Sequence, residues 1–440
     1  MNMILSLLGG SLVYVIYLVY YRLYLSPIAK FPGPKLAAAT YLYEFYYDII
    51  LGGKYIWKVK ELHEKYGPIV RINPGGLHVI DPAFWDVMYT ASTNSNRRDK
   101  WIWETEGIDV VMQYCFDRSD HHIEAPGFDP AYYNTSFGAA RAIALLKHVP
   151  LILTIMKSLP EPVAMKMGDE VSANIKLTRE RMDQIEDVRR IGFEKADQVH
   201  KTVFHTLLQS DLPASEKETR RLAEEAVLLV GAGTHTTSWV LTIITFYLLS
   251  NPSLLRKLRD ELKTVLPNPK SEAPLMELEK LPFLTAVLKE GLRMGYGATV
   301  RSSRIAPDTS LRYGDWIIPA RTPVGMTIPL THHDESIFPN SHSFEPRRWL
   351  EPNAAQLEKY LVSFSKGSRN CVGMNLAWAE MYMCTAAVFR RFGSRDVRES
   401  EDLGFLELFE TDESDVRLVS DMFFPVAKEG SKGIRVKIST

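Results

Sequence analysis

One ten-residue stretch, Phe364-Ser365-Lys366-Gly367-Ser368-Arg369-Asn370-Cys371-Val372-Gly373, constrains the chain more than any other. Gly367 and Gly373 let backbone approach a neighbour closely. Cys371 opens a helix, where the positive end of the dipole favours a thiolate. Arg369, two residues earlier, offers a fixed charge to an anionic group. A soft thiolate as the sole protein ligand suits haem iron, while a purely structural cysteine is the plainer alternative. The other cysteines, Cys115 and Cys384, lie in apolar helical surroundings and read as core residues. Three cysteines cannot build a disulfide framework, and they point to a reducing compartment.

The rest of the chain reads as mostly helical with small sheets. Ile69–Ile72 and Leu77–Ile80 form a β-prone pair around Pro74-Gly75-Gly76. Segments near Ile108–Phe116 and Ala139–Ser158 are helix-compatible, and residues 161–205 carry charges at helical spacing. Ser215–Glu218 resembles a capping box ahead of an unbroken pattern to Leu249, a helix of about 35 residues or ~50 Å. Asn251-Pro252 ends it, and helices follow over Ser253–Val265 and Phe283–Met294. Strands are expected at Leu311–Tyr313, Trp316–Ile318, Val324–Ile328, Phe405–Glu410, Met422–Pro425 and Ile434–Ile438. A last long helix runs from Cys371 to near Phe392. With 46% hydrophobic and 24% charged residues, disorder is excluded for the chain as a whole. A net charge of −1 lacks the electrostatic footprint of nucleic-acid binding.

Met3–Tyr21 holds no charged residue and is long enough to span a bilayer as a helix. Tyr20, Tyr21 and Tyr24 stand where an aromatic belt would lie, and Arg22, Lys30 and Lys35 follow. That asymmetry predicts a lumenal N-terminus and a cytosolic remainder; a cleaved signal peptide is the alternative. Phe31-Pro32-Gly33-Pro34 makes a stiff elbow, so residues 1–30 read as anchor and linker and 31–440 as one globular unit.

The ten-residue stretch matches F-x-x-G-x-R-x-C-x-G, the haem-binding loop of the cytochrome P450 family, and the chain resembles that family. Three further motifs stand in the family's order. Glu290-Gly291-Leu292-Arg293 resembles its E-x-x-R motif, and Phe344-Glu345-Pro346-Arg347-Arg348-Trp349 its F-x-P-x-R-W segment. Ala232-Gly233-Thr234-His235-Thr236-Thr237 resembles the oxygen-activation segment of its long central helix. The likeness covers most of residues 30–440 and is greatest to fungal secondary-metabolism members such as trichodiene oxygenase-like enzymes.

The resemblance implies a cytochrome P450-like fold, mainly α with small β-sheets, behind one transmembrane helix, with 31–440 as the monooxygenase domain. It implies haem b with Cys371 as axial thiolate, cradled by Phe364, Gly367 and Gly373, with Arg304 and Arg369 on its propionates. It implies a buried structural triad of Glu290, Arg293 and Arg348. It gives Thr236 a role in delivering protons for O–O cleavage, on a locally widened helix. His235 departs from the family's usual acid before that threonine and can itself relay protons. The expected activity is monooxygenation of an apolar small molecule, a terpenoid or polyketide, at the endoplasmic reticulum membrane. NADPH would supply electrons through a flavoprotein reductase that docks near Lys366. An isomerisation or dehydration needing no reductase is another option. His332-His333-Asp334 reads as a folding turn rather than a metal site, since adjacent histidines diverge; His121-His122 reads as exposed loop.

One departure is large. After Trp101-Ile102-Trp103-Glu104-Thr105 the family's W-x-x-x-R arginine is lacking. The chain passes directly into Ile108–Phe116, which resembles a later helix. Two or three helices, on the order of 50–70 residues, are expected to be missing between Trp103 and Ile108. A mis-joined translation is preferred to a true truncation, because a lost layer exposes apolar surface. The alternative function is a catalytically inactive, membrane-associated haem-binding or interaction protein.

Overall fold

A computed structural model describes residues 2–91, 97, 99–100, 145–191 and 202–440. Trp101, Cys115, His121-His122, the Ile108–Phe116 segment and the 103–108 junction lie outside the described residues. The longer helices are α1 (Asn2–Tyr20), α2 (Tyr55–Tyr66), α3 (Pro150–Ser158), α4 (Asp169–Ile191), α5 (Val203–Gln209), α6 (Thr219–Ser250), α7 (Pro252–Leu262), α8 (Pro282–Gly295) and α9 (Met374–Arg391). The chain divides into two compact units.

The first unit comprises residues 1–104, 242–372 and 382–440. Its strands include β1 (Ile69–Arg71), β2 (Leu77–Val79), β3 (Asp99–Lys100), β4 (Ser302–Ile305), β5 (Leu311–Tyr313), β6 (Trp316–Ile318) and β7 (Val324–Met326). The largest sheet has the order β1-β2-β7-β4-β3. The expected hairpin is present, with Ile69 opposite Val79 and Val70 opposite His78. The short strands β5 and β6 pair with each other. The sheet packs on Phe84, Trp85, Met88 and Val362. Burying a polar ring in this sheet requires partners. His78 finds them in His63 (2.8 Å) and the Thr327 hydroxyl (2.7 Å), and His63 donates onward to the Gly67 carbonyl (2.8 Å).

Helix α8 begins at Pro282, and its first amides are capped from α7. The Glu261 carboxylate accepts from the Phe283 and Leu284 N–H groups at 2.8 and 2.7 Å. It stops at Tyr296, whose φ of 64° leaves the helical region. Near the C-terminus, the expected strand Met422–Pro425 is instead a tight hairpin. Phe423 turns at φ 76°, so that Met422 faces Phe424. A backbone reversal of that kind interrupts an apolar run without changing its composition. Cys384 is exposed rather than in the core. Helix α9 turns Met381, Tyr382, Thr385, Ala386 and Phe389 inward, and its period carries 383 and 384 outward.

The second unit comprises residues 105–241 and 373–381. Its core joins Ile185 and Val188 of α4, Phe204 of α5, and Leu222, Ala223 and Ala226 of α6. Helix α6 is 32 residues long and starts at Thr219 rather than Ser215. Ala214–Lys217 forms a separate 3-10 turn, and Glu218 at ψ 138° breaks the continuity.

Among the described residues, no single helix is long and apolar enough to cross a membrane. A bent pair, His235–Ser250 with Pro252–Leu262, passes by length and composition. That pair buries Val240, Ile243, Ile244, Leu255 and Leu258, together with charged Arg259, as core helices do. Helix α1 contrasts with it: Leu12, Val13, Val15, Ile16 and Tyr17 are all exposed.

Candidate active site

Helix α8 supplies a carboxylate, Glu290, that accepts five hydrogen bonds among the described residues. Glu290 and Arg293 are three residues apart and fully buried. The Arg293 guanidinium donates to both Glu290 oxygens, from Nε at 3.0 Å and Nη2 at 2.8 Å. Arg348 Nε adds a contact to Glu290 Oε1 at 3.2 Å, and Trp349 Nε1 one to Oε2 at 2.9 Å. The Glu345 amide completes the set at 2.9 Å. Burying this charge is tolerable only because every side of it is bonded. Arginine is required: its planar fork also reaches the carbonyls of His332, Ser341 and Ser343. Sequence reasoning expected Glu290, Arg293 and Arg348 to meet, and the structure brings them together; Trp349 it did not anticipate.

Three hydrogen bonds, two of them through one histidine ring, connect this cluster to the cysteine loop. The Ser363 hydroxyl donates to the Leu292 carbonyl at 2.9 Å. His332 bridges the Arg293 carbonyl, through Nδ1 at 2.7 Å, and the Val362 amide, through Nε2 at 3.0 Å. A carbonyl accepts and an amide donates, so this fixes the ring as the neutral Nδ1–H tautomer. Burial pushes the His332 pKa down to about 3 and that of His63 to about 4. Both lie below the unfolded value of 6.5, so their stabilisation is complete above pH 6.5 and is lost as the pH falls toward those values. Stability against urea should therefore fall by up to about 1.4 kcal/mol per pH unit per histidine from pH 6.5 to 4. A flat profile over that range contradicts the assignment.

The loop itself turns through Gly367–Arg369 and returns so that the Cys371 amide donates to the Phe364 carbonyl at 2.9 Å. Gly367 has φ 75°, and a Cβ there would collide with the Tyr89 and Thr90 carbonyls. Gly367→Ala should cost about 1–3 kcal/mol from backbone strain. A thermal melt of the purified variant checks it, and an unchanged midpoint overturns it. Cys371 is half-buried, three residues before the start of α9, and its neighbour Val372 is 79% exposed. Arg369 is exposed. Lys366 pairs with Asp86 at 2.6 Å. Arg304 is buried on β4, with its guanidinium 5.0 Å from the Tyr89 ring centre. A thiol near a helix N-terminus, an exposed apolar flank and two arginines fit a flat apolar macrocycle with a soft metal and carboxylate tails.

In the second unit, Thr236 and His235 lie on α6. The expected local widening is absent: α6 is α-helical throughout. The Thr236 hydroxyl satisfies itself within the α-helix by donating to the Ala232 carbonyl at 2.7 Å. Burial lowers the His235 pKa, so the ring is neutral near pH 7. A residue that sequence reasoning missed is Glu380 on α9. Burial raises its pKa to about 7, against a hydrogen bond with Thr237 that lowers it. Its only sequence signal was a lone carboxylate on an otherwise apolar helix. Gly373 opens α9, its carbonyl accepting from the Ala377 amide at 2.9 Å.

Comparison with known proteins follows the same lines. The family model described as Cytochrome P450 matches residues 109–408. Cytochrome P450 monooxygenase tpcC of Cochliobolus heterostrophus is 39% identical, covering 99% of this chain and 97% of its own. Tryptophan 6-hydroxylase fscE of Fusarium equiseti is 35% identical over 95% of this chain and 93% of its own. Stellatic acid synthase of Emericella variicolor is 35% identical over 98% and 94%. With the bonded glutamate–arginine cluster behind a glycine-flanked cysteine, these matches mean that the chain belongs to the cytochrome P450 family of monooxygenases.

Proposed function

We propose that the chain is a haem-thiolate monooxygenase of fungal secondary metabolism, acting on an apolar small molecule such as a terpenoid or polyketide. The observation that carries this reading is the pinned loop that presents Cys371 near the start of α9. Haem, when bound, supplies the activation of dioxygen for insertion of one oxygen atom into the substrate. Cys371 would hold the metal; Phe364, Gly367 and Gly373 would flank the macrocycle; Arg304 and Arg369 would meet its carboxylates. Thr236 and His235 would hold and move protons at the Thr236 oxygen and the imidazole nitrogens. NADPH would deliver electrons through a flavoprotein reductase. Helix α1, uncharged over Asn2–Tyr20 although no described helix meets the length and apolarity of a span, would anchor the chain at the endoplasmic reticulum membrane with the catalytic part cytosolic.

A second reading, a homologue with little or no activity, is favoured by one observation. The alignment with the Cochliobolus heterostrophus relative runs over 511 positions, against the 440 residues of this chain. Reconstitution with reductase, NADPH and candidate terpenoids or polyketides separates the two. Product that depends on NADPH supports the monooxygenase; none, from a haem-loaded chain across the panel, supports the second reading. On the first reading, Thr236→Val removes a hydroxyl without breaking α6. Product formed per NADPH consumed should then fall by roughly a hundredfold, the lower end for a positioned proton donor. Unchanged coupling contradicts the role.

A further inference from the structure

Beyond the catalytic site, the junction after α1 holds the buried guanidinium of Arg71, with no carboxylate within ion-pair distance among the described residues. Arg71 on β1 is 1% exposed. Its Nη1 donates to the Arg22 carbonyl at 2.7 Å and its Nη2 to the Pro74 carbonyl at 2.6 Å, while Nε has no partner. Arg22, in the π-helical turn that ends α1, donates to the Ala39 carbonyl at 2.8 Å and lies over the Tyr41 ring. Among the described residues neither guanidinium has an acidic partner within 4.0 Å. Neutral carbonyls leave the buried Arg71 charge uncompensated, a costly arrangement, with partly buried Arg22 beside it.

A cavity of about 310 Å³ lies against this cluster, at the small end of the range for ligand pockets. Arg71 and Lys35 line it together with apolar Leu23, Ala29, Phe31 and Ala38. The elbow forms one wall. It is held by the Arg71 amide, which donates to the Pro32 carbonyl at 2.7 Å. Gly33 permits this approach, since a Cβ there would collide with the Arg71 carbonyl. A lining that mixes two cations with hydrocarbon calls for an amphiphilic anion. The position, directly after an exposed apolar helix, selects its source, because cations next to a membrane helix attract anionic headgroups.

We infer that this cavity binds the phosphate headgroup and proximal acyl chain of an anionic phospholipid, with Arg71 and Lys35 facing the phosphate. The inference rests on the reading of α1 as a membrane helix. The bound lipid would fix the elbow, and with it β1, at the membrane face.

The test uses the full chain in detergent and titration calorimetry. The probes are dihexanoyl phosphatidic acid, dihexanoyl phosphatidylcholine and inorganic phosphate. Phosphatidic acid should bind roughly tenfold or more tightly than either of the others, the weight of about one charge-assisted hydrogen bond. Lys35→Glu, which reverses a rim charge, and Ala29→Trp, which fills the cavity, should each weaken it by about the same factor. Flotation with plain phosphatidylcholine vesicles should persist in both variants, because α1 is intact. Equal affinity for the two lipids overturns the proposal, as does unchanged binding by Ala29→Trp. Inorganic phosphate binding as tightly as phosphatidic acid overturns it too, leaving a phosphate site without a lipid. Failure of the unaltered chain to float contradicts the membrane reading instead.

Discussion

Glu290→Gln is expected to yield little or no folded protein. Glutamine keeps the shape of the side chain and removes its charge. Arg293 and Arg348 would then stay buried without a counter-ion, and the new amide nitrogen would face donors. Breaking a buried pair from one side costs about 3–5 kcal/mol. A domain's whole stability is about 5–15 kcal/mol, so such a loss is close to unfolding. The consequence reaches the cysteine loop, because Arg293 also holds the His332 carbonyl and His332 holds the Val362 amide. Soluble yield and the urea midpoint measure the effect. Lys289→Gln is the control on the same helix. Its pairing with Glu358 at 2.5 Å is partly solvated, so it should cost less than about 1 kcal/mol. Equal losses from the two variants would refute the special standing of Glu290.

Cys371→Ser is expected to do the reverse: keep the fold and lose the activity. The backbone of Cys371 carries the bond to Phe364, and that amide is unaltered by the substitution. The side chain is half-buried, so exchange of sulfur for oxygen should change stability by less than about 1 kcal/mol. An alcohol is a poor ligand for a soft metal and does not supply the thiolate's electron density. NADPH-dependent product should fall to background at an unchanged melting temperature. Retained turnover would remove Cys371 from the chemistry.

What the sequence made legible was local. The β1–β2 hairpin, α8 and the cysteine loop each announce themselves within about a dozen residues, through apolar period, Pro-Gly turns and a fixed motif. Failures came where the decisive partner is distant or the backbone turns without compositional warning. Ser215–Glu218 carries a capping signature, yet Glu218 leaves the helical region and the helix begins one residue later. Met422–Pro425 is apolar throughout and reverses at Phe423. Cys384 sits among apolar neighbours but on the outer side of its helix.

Long-range polar partners were equally hidden. His332 was read only as part of a folding turn; its bonds reach Arg293 and Val362, 39 and 30 residues away. Buried Arg301 bonds to Glu44 and Asp48 across more than 250 residues. The spacing of those two acids, four apart on one helical face, was the only local hint. Arg71 interrupts an apolar strand, and its carbonyl partners have no sequence signature.

The assignment of Cys371 as a haem ligand meets its most direct test in the reduced carbon monoxide difference spectrum of the full chain, expressed with haem supplied. A Soret band at the thiolate-ligated position is expected, absent in Cys371→Ser. Soluble, folded protein with no such band would contradict a haem-thiolate centre at Cys371.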